Sequence, residues 1–419
     1  MSRNFLIVLM LLTGMSVYSA VAIGTEEPIT TSEGDEIPIE VYGRSTSVRL
    51  LWFPSETGLK MEDQQLAVQL AKQGVEVWLV DLFAARFLPL APSSMESMPA
   101  LDVARVIKAA SKDKAQVYLL APGRGAVPVL RGAREWQQQQ GQLAGIILLH
   151  PKLYEETPNP GEPARLLPIL KLTNQAIYLL QPELSPVRWR LTEMMSALHD
   201  GGSDAFTQRL PQVRDRFWFR ADADDYENRL TKQLPQRLLK AMLRLQYVEK
   251  NRFAPMGEIS RRKPGPGKKE RSLSPYAGSP QPPPLQLQQY QGAVRSLVAE
   301  QGKVVLVNFW ATWCPPCVHE MPSMQGLYQD LKPQGLEILA VNMAESEVQI
   351  EMFLQTRGAV DFPVLLDRDG AALRRWDVFA FPTSFVIDRQ GHVRYALFGA
   401  VDWQNAEIKS QLERLLKEK

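Results

Sequence analysis

Both cysteines of this 419-residue chain lie in one stretch, NFWATWCPPCVHEMP (308–322), as Cys314 and Cys317. Two thiols at that spacing suit disulfide exchange. If Cys314 opens a helix, its sulfur faces unpaired backbone N–H groups and the positive end of the helix dipole. Both favour the thiolate, which is the nucleophile in thiol–disulfide exchange. Cys317, one turn on, is then within reach to resolve a mixed disulfide. Pro315 and Pro316 fit that placement, because the first helical turn does not need their N–H groups. They also remove two donors to the Cys314 sulfur. Its pKa should therefore fall less than in strongly oxidising dithiols, which leaves the disulfide relatively more stable and favours a reductant.

Other chemistries fail on counting. Structural zinc needs about four ligands. Beyond the two thiols the chain offers His150, His199, His319 and His392, with no paired spacing. Haem attachment needs CxxCH, and Val318 stands in the histidine position. A purely structural disulfide is disfavoured by the short loop and the flanking Trp313. His319 lies five positions from Cys314, well around the helix, and is expected on the surface. No organic cofactor or metal is required.

The elements that must position these thiols follow an α/β pattern. KVVLVNFW (303–310) is a continuous apolar, β-branched run and reads as a buried strand. A helix begins at Pro315 and should stop before KPQGLE, where Pro333 and Gly335 break it. EILAVNM (337–343) is a second strand, followed by a helix around 346–357 and by FPVLLD (362–367). TSFVIDRQGHVRYALFG (383–399) reads as a hairpin turning at Arg389, Gln390 and Gly391, and NAEIKSQLERLLKE as a closing amphipathic helix.

With the CxxC on the turn leaving a central strand, residues 285–419 resemble the thioredoxin-like proteins of the TlpA/ResA/CcmG group, exported thiol–disulfide oxidoreductases. The matching stretches are VVLVNFWATWCPPCVHEMP, FPVLLD and FPTSFVIDRQGHV. The resemblance covers a third of the chain. It implies that Pro382 is cis and lies against the CxxC, presenting the preceding backbone to a substrate; without it, Pro382 reads as an ordinary proline beginning a strand. It implies also that Glu320, one turn past Cys317, belongs to the active site and relays protons to or from the Cys317 thiol. Read from spacing alone, Glu320 is a solvated helix carboxylate. Electrons would come from a membrane thiol donor of the DsbD/CcdA kind, and the clients would be exported proteins with disulfides.

Residues 36–250 also alternate strand and helix. VRLLWF, VEVWLV, QVYLLA, GIILL, AIYLL and RFWF are apolar runs, with helical stretches such as 62–73 and 229–248 between them. Apolar strands without alternation argue a parallel sheet buried on both faces. The order, opening with the hairpin-like EIPIEVYGRSTSVRLLWF, looks like an α/β-hydrolase core. The expected fold is thus an N-terminal α/β-hydrolase-like sheet domain followed by a thioredoxin-like domain. A catalytic elbow G-x-S-x-G should follow QVYLLA. The sequence there is LLAPGRGAV, and Gly123 holds the serine position. An acid is available at Glu183, but the loop after RFWF holds no histidine, and neither His150 nor His199 falls where a triad base belongs. The expectation is a non-catalytic domain.

Arg3, the apolar run 5–12 and the small residues Ala20, Val21 and Ala22 have the order of a signal peptide (1–22), cleaved or retained as an anchor. The chain is therefore expected in a bacterial periplasm. Residues 249–272 carry eight Lys/Arg against three Asp/Glu, and 254–284 hold eight prolines, so 251–284 reads as a basic, Pro-rich linker with too little apolar surface for a core. A nucleic-acid partner is not expected. The function expected is reduction of disulfides in periplasmic proteins through the CPPC dithiol. The alternative is a periplasmic ligand-binding protein with an accessory redox domain, and a third reading is a serine hydrolase with displaced residues.

Overall fold

The computed structural model describes residues 28–155, 158–249, 252–257 and 273–418. The proposed signal segment, and residues 258–272 of the proposed linker, lie outside the described residues. Two sheets organise the described residues, one of seven strands and one of eight.

The first sheet runs β1 (Ile39–Tyr42), β2 (Val48–Trp52), β3 (Glu76–Val80), β4 (Gln116–Pro122), β5 (Gly145–Leu149), β6 (Ala176–Leu184) and β7 (Asp204–Arg214) along the chain. In space the order is β1-β3-β2-β4-β5-β6-β7, parallel throughout except β1, which pairs antiparallel with β3. Its helices are α1 (Met61–Ala71), α2 (Leu82–Ala85), α3 (Pro92–Ser97), α4 (Ala100–Ala110), α5 (Ala126–Gln138), α6 (Leu191–Asp200) and α7 (Asp225–Gln246). Leu51, Val80, Leu119 and Ile146 pack with the α4, α5 and α6 residues Val103, Val129 and Met194. The neighbours in sequence, Leu50, Leu79, Leu120 and Ile147, pack with α1 and α7 through Leu66, Leu70, Leu234 and Leu238. Successive strand residues point to opposite faces, so runs such as GIILL are apolar at every position because both faces are covered.

Two local expectations are corrected. The 36–53 stretch is no hairpin: β3 lies between β1 and β2. RFWF is not a strand but a 3₁₀ turn, Phe217–Phe219, entered through Arg216 in the left-handed region at φ 65°. The last strand is instead the polar run just before it, an edge strand with many exposed residues, where burial on both faces does not apply.

The second sheet contains β8 (Ser274–Pro275), β9 (Gln286–Gln289), β10 (Val294–Ser296), β11 (Val304–Trp310), β12 (Leu336–Met343), β13 (Val364–Asp367), β14 (Thr383–Ile387) and β15 (Val393–Phe398), in the order β10-β9-β13-β12-β11-β14-β15-β8. Helices α8 (Pro315–Leu331), α9 (Glu347–Arg357), α10 (Ala371–Arg375) and α11 (Ala406–Lys417) complete it. The central strand β11 pairs parallel with β12 and antiparallel with β14. Leu273 is buried in this core and β8 adds to the sheet edge beside β15, so the end of the 251–284 stretch is part of the sheet. No helix among the described residues is long and apolar enough to cross a membrane.

Candidate active site

Strand β11 carries the chain through the middle of the sheet and releases it at the face where α8 begins. Cys314 is the N-cap of α8, with φ −97° and ψ 100°, and its sulfur accepts the Cys317 N–H at 3.3 Å. Pro315 and Pro316 occupy the first helical turn and are exposed. Cys314 and Cys317 are joined by a disulfide, their Cα atoms 5.3 Å apart. Cys314 retains 5% exposure and Cys317 none, so an incoming group meets Cys314 first. His319 is exposed.

Pro382 is buried and follows a cis peptide bond from Phe381. Its carbonyl accepts the Gly399 N–H at 2.9 Å. The Phe381 ring meets the Trp313 ring edge-on, centroids 5.7 Å apart, which brings the Pro382 loop beside the dithiol.

Glu320 is 2% exposed, not a solvated surface carboxylate. One carboxylate oxygen accepts Asn308 Nδ2 at 2.9 Å, and the other accepts the Val401 N–H and Trp403 Nε1, both at 3.3 Å. Burial pushes its pKa up to about 7, although the three donors pull the other way. A carboxylic acid that titrates near neutrality is suited to proton transfer at neutral pH.

Asn308 and Trp403 carried no role in the sequence reading. The signal for Asn308 was present: it is the one polar residue in VVLVNFW. Its Nδ2 also reaches Ser384 Oγ at 3.0 Å, tying β11 to β14. Glu345 was missed as well. It is buried after β12, accepts the Thr312 N–H at 2.7 Å, the Thr312 hydroxyl, and Asn342 Nδ2 at 2.8 Å, and burial raises its pKa. Through Thr312 it holds the backbone that leads into Trp313 and Cys314.

In the first sheet Gly123 stands directly after β4 at φ 56°, on the turn into α5. A Cβ there would lie 2.5 Å from Glu56 Oε2. Glu56 fills the turn: Oε2 accepts the Arg124 N–H at 3.0 Å, and Oε1 meets Lys152 Nζ at 3.0 Å and Arg216 at 2.5 Å. Its pKa is held far below the usual carboxylate range: burial opposes this, but the Lys152 and Arg216 charges outweigh it. His150, which the sequence did not place where a triad base belongs, does adjoin this turn: its Cε1 would lie 3.5 Å from the same Cβ. His150 is buried against Trp218, neither ring nitrogen has a hydrogen-bond partner among the described residues, and burial pushes its pKa down to about 3. Glu183 is engaged elsewhere, with Arg188 and the Gln212 N–H, and His199 meets the Ala205 carbonyl from α6.

Residues 280–396 match the AhpC/TSA family. The chain is 38% identical over 133 residues to the thiol-disulfide oxidoreductase ResA of Geobacillus thermodenitrificans, covering 32% of this chain and 75% of that protein. With ResA of Bacillus subtilis it shares 44% identity over 101 residues, 24% of this chain and 56% of that protein. Among solved structures, a thiol:disulfide interchange protein of the thioredoxin family from Chlorobium tepidum is 26% identical with a TM-score of 0.29, covering 34% of this chain and 97% of that one.

Proposed function

Through its C-terminal domain this chain belongs to the ResA family of thiol–disulfide oxidoreductases, and from that membership we propose that it reduces disulfides of exported proteins with Cys314 as the attacking thiol. The observation that carries the reading is the N-cap placement of Cys314, its sulfur already accepting the Cys317 N–H, with Cys317 fully buried behind it. A negative sulfur is favoured there by the same donor and by the helix N-terminus.

In the dithiol form the Cys314 thiolate attacks one sulfur of the client disulfide. That S–S bond breaks, a mixed disulfide forms, and the departing client thiolate takes up a proton. Cys317 then gives its proton to the Glu320 carboxylate, and its thiolate attacks Cys314 Sγ. The mixed disulfide breaks, the second client thiolate leaves and takes the proton held on Glu320, which restores the carboxylate, and the Cys314–Cys317 disulfide seen here is the product. Two electrons and two protons have passed to the client. Returning the enzyme to its dithiol form needs a thiol donor of equal stoichiometry, proposed as a membrane protein of the DsbD/CcdA kind. Pro382 and Phe381 border the approach to Cys314, and the proposed location is the periplasm.

For the first sheet, the antiparallel edge strand and the positive-φ glycine on the turn from β4 into α5 support an α/β-hydrolase-like domain. Glu56 occupying that turn supports one without hydrolytic chemistry. Trapping tests the redox roles. Cys317→Ser should accumulate covalent complexes with clients in the periplasm, and Cys314→Ser far fewer. Equal trapping by both variants would remove the assignment of attacker and resolver.

A further inference from the structure

In open parallel sheets, ligands bind in the crevice beyond the carboxyl ends of the strands. In this chain the loops that leave β5 and β6 at that edge hold the second domain. After β6 the 3₁₀ turn Pro186–Arg190 presents Trp189 and Arg190. Arg190 pairs with Asp377 at 2.9 Å, its own side chain 8% exposed and that of Asp377 31%. Trp189 packs against the core of the second domain, and Arg374 lies 5.6 Å over its ring. Gly370, at φ 66°, comes so close that a Cβ would stand 2.8 Å from the Trp189 ring. After β5, Tyr154 meets Phe379 edge-on, centroids 4.9 Å apart, and Phe379 packs with the core of the first domain.

The Arg190 and Tyr154 contacts converge on one short segment, and those of Trp189 fall on α10 just before it. Asp377 follows α10 and its cap Trp376, in the left-handed region at φ 46°, and its side chain is the one Arg190 holds. Two residues later Phe379 is held by Tyr154, and two residues after that Phe381 meets Trp313 beside Cys314. The segment that borders the dithiol is thus anchored, through its first half, to the other domain.

We propose that the N-terminal domain is a positioning domain for the redox centre: Arg190 and Tyr154 hold residues 377–381, and Trp189 holds α10 just before them, so that the Phe381–Trp313 pair receives a disulfide-bearing polypeptide. The inference rests on Cys314 as the attacking thiol. A small disulfide needs access only to that sulfur. A polypeptide must also lie along the segment before Pro382 and against the aromatic pair, so its binding depends on where they are held. Arg190, Trp189 and Tyr154 touch no reacting atom and act through the segment.

The test uses the full chain in its dithiol form, in single turnovers with two probes, glutathione disulfide and insulin. Arg190→Glu and Asp377→Arg, each alone, place like charges together. Each should raise the half-saturating insulin concentration about tenfold with little change in limiting rate, the pattern of lost uniform binding. The rate with glutathione disulfide and the midpoint potential should be unchanged, which also reports an intact redox domain. The double variant Arg190→Glu/Asp377→Arg should restore insulin binding, and Trp189→Ala should act like the single reversals. An unchanged half-saturating concentration, equal losses on both probes, or no rescue by the double variant would each overturn the inference. A wild-type dithiol that fails to reduce glutathione disulfide would instead sink the redox reading on which it rests.

Discussion

Replacing Glu320 by Gln removes a titrating group while keeping its shape. In the folded chain the carboxyl is raised from 4.5 to about 7 by burial. A raised acid binds its proton more tightly when folded, so its protonated form stabilises the fold. That contribution is full below the unfolded value and is lost as pH rises from about 4.5 to about 7. At about 1.36 kcal/mol per unit, ionising Glu320 in place costs roughly 3 kcal/mol. Gln does not titrate. Its amide group would meet Asn308, whose Oδ1 has no partner among the described residues, so a flip of that amide can supply an acceptor. The stability of Glu320→Gln relative to wild type should therefore rise by about 2.5 kcal/mol between about pH 5 and pH 8.5. Urea unfolding of the oxidised protein at the two pH values measures this. A difference between the two proteins that stays constant within about 0.5 kcal/mol would refute the burial argument. The same variant should slow resolution of the mixed disulfide most at about pH 7 to 8, where the wild-type carboxylate is available as a base.

The wild-type dithiol should equilibrate nearer to thioredoxin, roughly −270 mV, than to the oxidant DsbA, roughly −120 mV; a potential close to the oxidant, measured against a glutathione series, would reverse the direction of electron flow. Gly123→Ser should lose about 2 kcal/mol or more by thermal or urea unfolding, because a side chain at φ 56° is strained and its Cβ meets Glu56. The same variant should hydrolyse no p-nitrophenyl ester. Brief trypsin treatment should cut first between Arg261 and Arg271, in the basic, Pro-rich stretch; first cuts within either sheet domain would place the boundary elsewhere.

The thiols and most elements around them were legible because their signals are local. KVVLVNFW is apolar at every position but Lys303 and Asn308, two prolines follow Cys314, and Gly391 marks the turn between β14 and β15. What escaped was set by partners distant in sequence. Glu320 looks solvated from spacing alone and becomes buried only because Trp403 and Val401 close over it from beyond β15. Glu345 acquires its role through Thr312, 33 positions upstream. The polar edge strand β7 lacks the two-sided burial that betrayed its neighbours, while the apolar Phe217 and Trp218 imitate a strand and fill the core from a 3₁₀ turn. His150 was visible at the end of GIILL, but its approach to Gly123 depends on β4 and β5 being adjacent, which no run of residues states.

The anchoring on either side of residues 258–272 bears on how strong the contact between the domains has to be. Gly257 is held to the first domain by Arg134, through a bond of 2.9 Å to its carbonyl, and Leu273 is buried in the second. At roughly 3.5 Å per residue, the chain between them can never let its ends part by more than about 55 Å. Confinement to that radius gives each domain a local concentration of the other on the order of millimolar. An interface with a dissociation constant of tens of micromolar would stay closed in the intact chain and come apart once the chain is cut between Gly257 and Leu273 in dilute solution. The covalent connection therefore lets a small patch around Trp189, Arg190 and Tyr154 do what two separate proteins would need a far larger surface to achieve.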